Sequence, residues 1–399
     1  MLAPTLALAA SAATCPPPDP AACPPPDGVA SRVVLLGDSG LGDTWPGGVP
    51  SPCGRDPVLA LAGTCAAAVP ERAVVVLGDA SYGKRTVGAA VGAILGGRSA
   101  YGGLPRCPGG CEQVAATGVG RLEQRQWLDE LDIARDAGVP VWIVPGNHDW
   151  ARGQAGLRRA DALTRAYAAV HDVDTRLLPA GELSCRADPR VDAEDVGEIT
   201  VVAVDTAWAL RCPAAHPALG EAVWARVAAA QARGQRVIVA SHHPAVSHGT
   251  HGTSRRYRQD LRSRAYERFV ADVFGPEAPA VDDARVLLAA GHDHHLEIAA
   301  PTPGVHGVVQ VVSGAGTLPM AHPDAWGGCD PGDAALALSR GAGFVVVDLG
   351  ADGRWSARLV DVATPGTCDT ALDAARGACR TAPIPACPPR DFPPGREVR

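Results

Sequence analysis

Residues 72–82 read RAVVVLGDASY: an arginine, five apolar residues, then Gly78-Asp79 and, three residues on, Tyr82. A short run that is apolar at successive rather than alternate positions is the pattern of a strand buried on both faces. Glycine after it lets the chain turn sharply, so the next side chain is presented at the strand's carboxyl end. The same phrase recurs along the chain. RVVLLGD (32–38) delivers Asp38, and VWIVPGN (141–147) delivers Asn147 followed by His148. RVIVASH (236–242) delivers His242, and RVLLAAGH (285–292) leads into His292 and His294. Further apolar runs lie at 199–205, 305–314, 343–350 and 354–362, with helical periodicity at 122–138, 156–170, 218–233 and 256–273. Strands alternating with helices predict an α/β domain whose helices cover the sheets. In such domains ligands collect at the carboxyl ends of the strands.

Composition sets bounds on function. The 399 residues are 46% hydrophobic with a net charge of −7, which excludes a disordered chain and argues against bulk electrostatic binding to nucleic acid. Of the 36 basic residues only Lys84 is lysine. Arginine abundance is therefore compositional background, and RRYRQDLRSR (255–264) reads as a solvated helix face rather than an anion site. No run of 18 apolar residues occurs, so no transmembrane segment is expected. The opening MLAPTLALAASAAT has the apolar core and small residues of a secretory signal but lacks its basic start, so the signal reads as truncated. The 12 cysteines contain no CxxC pair, which favours disulfides in an exported protein over structural zinc sites. Cys107 and Cys111 bracket a tight loop, and residues 92–120 form a long glycine-rich segment suited to an active-site rim.

Taken singly, each strand-terminal motif is ordinary: Gly-Asp is a common turn, and a lone histidine is usually structural. Five such motifs delivering Asp, Asp, Tyr, Asn and three His in one order are a different matter, because these are metal-ligand types placed where sites form. The set GDSG (37–40), GDASY (78–82), GNHD (146–149), VASH (239–242) and GHDH (291–294) resembles the calcineurin-like metallophosphoesterase superfamily over residues 32–316. Gly40 stands where many members carry a ligand histidine, and Tyr82 follows Asp79 by three; both features resemble the purple acid phosphatase-like branch, in its bacterial exported form.

The resemblance implies a four-layer fold, two mixed β-sheets flanked by α-helices. It also implies two metal ions bridged by Asp79. Asp38, Asp79, Tyr82 and His294 would hold Fe(III); Asp79, Asn147, His242 and His292 would hold a divalent ion (Fe, Zn or Mn). The alternative is two divalent ions. A hydroxide formed from metal-activated water would attack a small phosphate ester, with His148 and His251 serving the leaving group as catalytic residues. His251 has an open alternative as an exposed loop residue, and His248 reads as exposed in the same Gly/Ser/Thr loop. His243 is expected to orient that loop or to support the ligands from behind, and Asp149 to hold His148. The chain then divides into a signal-like Pro/Cys-rich leader (1–30), a catalytic domain (31–363) and a Pro/Cys-rich tail (364–399). The expected activity is acid phosphatase-like phosphomonoester hydrolysis, with no protein partner evident. A di-divalent phosphodiesterase or nucleotidase, or a non-catalytic exported metal- or phosphate-binding protein, stands as the alternative.

Overall fold

Apolar runs that leave no face for water become two stacked sheets. The computed structural model describes residues 23, 27–40, 56–82, 121–180, 185, 188–253, 261, 263–275, 281–301, 305–306, 308–316, 335–339, 341–362, 367–371 and 379–380. The first sheet has the order β14-β13-β12-β1-β2-β3-β4. Its centre is β1 (Val29–Leu36), parallel to β2 (Glu71–Val76), which continues to β3 (Val141–Ile143) and β4 (Thr175–Leu177). On the other side β12 (Gly343–Gly350), β13 (Trp355–Asp361) and β14 (Thr367–Ala371) follow in antiparallel pairing.

The second sheet has the order β15-β11-β9-β10-β8-β7-β6-β5. Its parallel heart is β6 (Ile199–Val204), β7 (Arg236–Ser241), β8 (Val286–Ala290) and β10 (Val309–Ser313). The antiparallel β5 (Val191–Val196) closes one edge, and its central residues alternate between more and less exposed, as a strand with one wet face should. β9 (Leu296–Ala299), β11 (Ala335–Ser339) and β15 (Cys379–Arg380) complete the other side. Strands β14 and β15, both late in the chain, therefore pair at the sheet edges.

Side chains alternate between two buried environments. Val33 and Leu35 of β1 join Val201, Ile238, Leu287 and Val311 between the sheets, while Val34 and Leu36 face the helices. The first sheet is covered by α1 (Pro57–Ala67), α2 (Arg121–Ala137) and α3 (Gly153–His171), and the second by α5 (His216–Ala232), against which α7 (Arg264–Phe274) packs. Among the described residues the other α-helices are single turns, α4 (Thr206–Ala209) and α6 (Thr250–Thr253). This is the four-layer α/β arrangement expected from the sequence. α1 escapes a periodicity search because it is apolar almost throughout; Asp56 starts it by accepting the N–H groups of Val58 (2.7 Å) and Leu59 (3.4 Å), with Pro57 in the first turn. The helix expected over 256–273 is described only from Arg264, where the Ser263 hydroxyl caps the Tyr266 N–H at 3.1 Å.

Two disulfides lie among the described residues. Cys23–Cys65 ties the start of the chain to α1, and Cys185–Cys212 ties the loop after β4 to the segment before α5. Cys107 and Cys111, the 92–120 rim and most of the 255–264 arginine run fall outside the described residues. Among the described residues no helix is long and apolar enough to cross a membrane.

Candidate metal centre

The carboxyl ends of β1, β2 and β3 meet those of β7 and β8 at the seam between the sheets. Backbone and side-chain hydrogen bonds lock the strand ends together. Asp38 N donates to Gly78 O (3.0 Å), Gly291 N to His242 O (3.0 Å), and His292 N to the Asp38 carboxylate (2.6 Å). Asp38, Asp79 and His292 adopt φ of 58°, 54° and 66°, a left-handed conformation that non-glycine residues rarely hold. Such strain persists where surrounding contacts over-determine the backbone, and here it aims three side chains into one space. Gly78 (φ +88°) permits the approach: a Cβ there would stand 2.5 Å from His242 Nδ1.

Two buried carboxylates anchor the centre. Asp38 and Asp79 are each 1% exposed, and their oxygens lie with a His242 nitrogen in a group whose atoms are all within 4.8 Å of one another. Burial pushes the Asp38 carboxyl up to about 8, with the Asp79 charge adding to the effect. Burial pushes Asp79 upward too, but His242 and His148 outweigh it and hold that carboxyl below the usual range. The Tyr82 hydroxyl donates to Asp38 Oδ1 at 3.1 Å, and His294 Nε2 stands 3.7 Å from the same oxygen. Burial and the two carboxylates push the Tyr82 phenol well above its ordinary value.

His242 supplies the test of whether these residues suit a metal. Its Nδ1 faces the Leu77 carbonyl at 2.8 Å, and a carbonyl can only accept, so Nδ1 carries the hydrogen. In the neutral ring Nε2 then presents a lone pair to Asn147 Oδ1 (2.9 Å), His292 Nδ1 (3.2 Å) and Asp79 Oδ2 (3.5 Å). The Nε2 lone pair, the Asn147 oxygen and the Asp79 carboxylate oxygen bring electron-rich atoms together in a buried space, and such a group calls for a cation. Without a metal that cation is a proton, and burial notwithstanding, Asp79 pushes His242 up to about 10. The donor set of carboxylates, amide oxygen, phenol and imidazoles equally fits hard to borderline metal ions. Burial drives His292 well below its ordinary value and His294 down to about 3, with histidine neighbours adding, so both remain neutral, the form that ligates.

The histidines His148, His251 and His243 also lie at this seam. His148 packs its ring 4.4 Å from Tyr82, with its Nε2 3.9 Å from Asp79 Oδ2. His251 places its ring 4.5 Å from His292 and 6.2 Å from His294. His243 also lies in a candidate metal group with His242 and His292, but Thr206 Oγ1 sits 2.9 Å from its Nδ1 and accepts its backbone N–H at 3.0 Å. That pairing ties the loop to α4, as expected of His243.

Two expectations need correction. The Asp149 carboxylate does not hold the His148 side chain; it accepts the N–H groups of Asp79 (2.8 Å), Gly146 (2.8 Å) and Ser81 (3.0 Å). Burial pushes it up to about 7, with the Asp79 charge adding. It therefore splices the second and third motifs rather than tuning a histidine. His248 is not an exposed loop residue either: it is 8% exposed, and its Nδ1 meets Glu297 Oε1 at 2.5 Å. Sequence reading missed Gln126, whose side-chain oxygen accepts the Tyr82 N–H at 2.9 Å, and Asp205, which accepts from Trp150 Nε1 at 2.8 Å. The signal for Gln126 was its place on the buried face of a periodic helix, where a polar residue needs a partner.

A family model for the calcineurin-like phosphoesterase domain matches residues 31–296. Comparison with curated proteins returns no match. The matched span runs from within β1 through the Gly-His-Asp-His turn and includes the carboxyl ends of β1, β2, β3, β7 and β8 at the seam. Enzymes of that family are metal-dependent phosphoester hydrolases with two metal ions, and clustered His and Asp side chains that can hold metal are in place here. The chain belongs to the calcineurin-like phosphoesterase family.

Proposed function

We propose that the chain is an exported, purple acid phosphatase-like phosphomonoesterase with a binuclear centre of Fe(III) and a divalent ion (Fe, Zn or Mn). The observation that carries this reading is Tyr82, 2% exposed with its hydroxyl on Asp38, in a first motif whose third position is Gly40 rather than histidine. Asp38, Tyr82 and His294 would hold Fe(III), Asn147, His242 and His292 a divalent ion, and Asp79 both. When bound, such ions polarise phosphoryl oxygens and lower the pKa of water at the site.

The chain's own residues supply orientation and proton transfer. Asp149 fixes the Asp79 and Gly146 backbones, so the shared carboxylate and Asn147 keep their spacing. His148, with a quarter of its side chain exposed beside Tyr82, would lie beside the substrate and give the leaving group a hydrogen bond. His251, whose ring lies over His292 and His294, would protonate the leaving oxygen. The disulfides support an oxidising compartment.

Tyr82 also defines the second reading. Burial and the two carboxylates oppose loss of its proton, so ionisation needs a strongly charged cation alongside. With two divalent ions Tyr82 stays a hydrogen-bond donor to Asp38, which favours a phosphodiesterase or nucleotidase. Metal analysis, a visible spectrum and turnover of p-nitrophenyl phosphate against bis-p-nitrophenyl phosphate separate these readings. Iron with a visible charge-transfer band that Tyr82→Phe abolishes, together with monoester preference, is the expected result. A colourless protein holding two divalent ions after iron-replete expression refutes the ferric assignment, and bound metal without turnover on either ester indicates a binding protein.

A further inference from the structure

The Gly-His-Asp-His turn continues into His295-Leu296-Glu297, and this extension has no part in the metal site described above. β9 lies between β10 and β11, and Glu297 in it is 0% exposed. A fully buried carboxylate in a sheet interior is costly unless its lone pairs are engaged. Three donors engage this one: His248 N–H at 3.1 Å, His248 Nδ1 at 2.5 Å and His295 Nε2 at 2.8 Å. A second buried carboxylate stands close by. Asp293, 1% exposed, accepts from Ser247 Oγ (2.5 Å), His251 N (3.2 Å) and Gly252 N (3.2 Å), and His295 Nδ1 lies 3.9 Å from it.

Both acids therefore grip one short segment, 247–252, from opposite sides of His295. On the way the chain passes so close to Asp293 that a Cβ at Gly249 would stand 2.4 Å from its carboxylate. What the segment delivers is His251, whose ring lies over His292 and His294. Gln310 in β10 braces the start of the same loop through the Val246 N–H at 3.0 Å.

We propose that Glu297 is a positioning residue for phosphoester hydrolysis: through His248 and His295, in concert with Asp293, it holds the 247–252 loop so that His251 reaches the leaving oxygen. The inference rests on the role given to His251 above. A proton donor matters most when the leaving group is a poor one, because an alkoxide must be protonated as it departs whereas p-nitrophenolate leaves unaided. Displacing such a donor by about 1 Å can cost on the order of 100-fold in rate.

The test is steady-state kinetics of the full-length, metal-loaded Glu297→Gln protein on p-nitrophenyl phosphate and on an alkyl monoester, glycerol phosphate. Expected is a roughly 10- to 100-fold fall in kcat for the alkyl ester, the usual range for disturbing a residue that orients a site group. The p-nitrophenyl ester should change little, with KM and metal content unaltered. His251→Ala should show the same selectivity, and adding Glu297→Gln to it should cause no further loss. Should Glu297→Gln not fold, His248→Phe takes its place with the same expectation, and His248→Asn, whose amide can replace the ring N–H, should recover the alkyl-ester rate. Equal losses on both esters, or losses additive with His251→Ala, overturn the positioning role while leaving His251 intact. A His251→Ala protein without leaving-group selectivity overturns the role of His251 and this inference with it.

Discussion

Replacing Gly78 by alanine perturbs the seam at its tightest point. Two costs are separable. Gly78 has φ +88°, and holding a residue with a Cβ in left-handed space costs about 1–2 kcal/mol. The added Cβ would also lie 2.5 Å from His242 Nδ1 and 2.8 Å from both N and Cα of Gly146, so backbone as well as side chain must move. Overpacking of this kind costs about 1–3 kcal/mol, for a total of about 2–5 kcal/mol. The displaced ring loses its 2.8 Å bond to the Leu77 carbonyl, and Nε2 loses its aim at Asn147 and Asp79. Affinity for a divalent ion should fall roughly 10- to 100-fold, as it does when a ligand's orienting partner is removed.

Gly138 provides the control. It ends α2 with φ +63°, and a Cβ there meets nothing within 4 Å. Gly138→Ala should therefore show the backbone cost alone, about 1–2 kcal/mol, with metal affinity unchanged. Urea unfolding of the metal-free proteins and zinc titration by calorimetry measure both quantities. Equal destabilisation of the two variants, with wild-type zinc affinity in Gly78→Ala, refutes the crowding argument.

Other expectations follow from buried charges and covalent ties. Burial pushes the Asp205 carboxyl up from 3.8 to about 7. The native state thus holds this proton more tightly than the unfolded state, so stability declines as pH rises through about 4 to 7 and is level above. Urea midpoints across that window should show Asp205→Asn losing a slope worth on the order of 4 kcal/mol; an unchanged slope contradicts the burial argument. Arg32, fully buried, pairs with Asp348 at 2.6 and 2.9 Å beside Arg358, and also donates to the Cys65 carbonyl. Arg32→Met should cost about 3 kcal/mol because one partner's charge is left under-compensated, while Arg32→Met with Asp348→Leu should cost less; denaturant unfolding decides. Replacing Cys185 and Cys212 by serine opens a 27-residue loop and should lower stability by about 3–4 kcal/mol; a loss under about 1 kcal/mol would show that the bridge does not constrain the unfolded chain.

The site was legible because its side chains sit at a repeated local signal, an apolar run ending in a sharp turn. Asp38, Asp79, Asn147, His242 and His292 each announce themselves by position relative to a strand, and the structure gathers those strand ends at one seam. The parts that escaped depend on partners remote in sequence. Glu297 sits in LEIA, a stretch with no sign that its acid is buried, and its burial follows from His248, 49 residues earlier. Asp149 looked like a partner for the adjacent His148, yet it pairs with backbone N–H groups at 79 and 81, brought near by parallel pairing of β2 with β3. Neither α1 nor β4 carried a usable pattern: one is apolar on nearly every face, and the other spans only three residues.

We propose that side chains at the seam hold two metal ions, with the buried Asp79 shared between them. Metal content of the purified protein, measured by mass spectrometry after exhaustive dialysis, tests it most directly beside Asp79→Asn. About two ions per chain are expected in the natural protein, as metal-bridging carboxylate sites require, with loss of both the paired occupancy and monoester turnover in the variant. A natural protein holding at most one ion, or an Asp79→Asn protein that keeps both ions and its turnover, contradicts it.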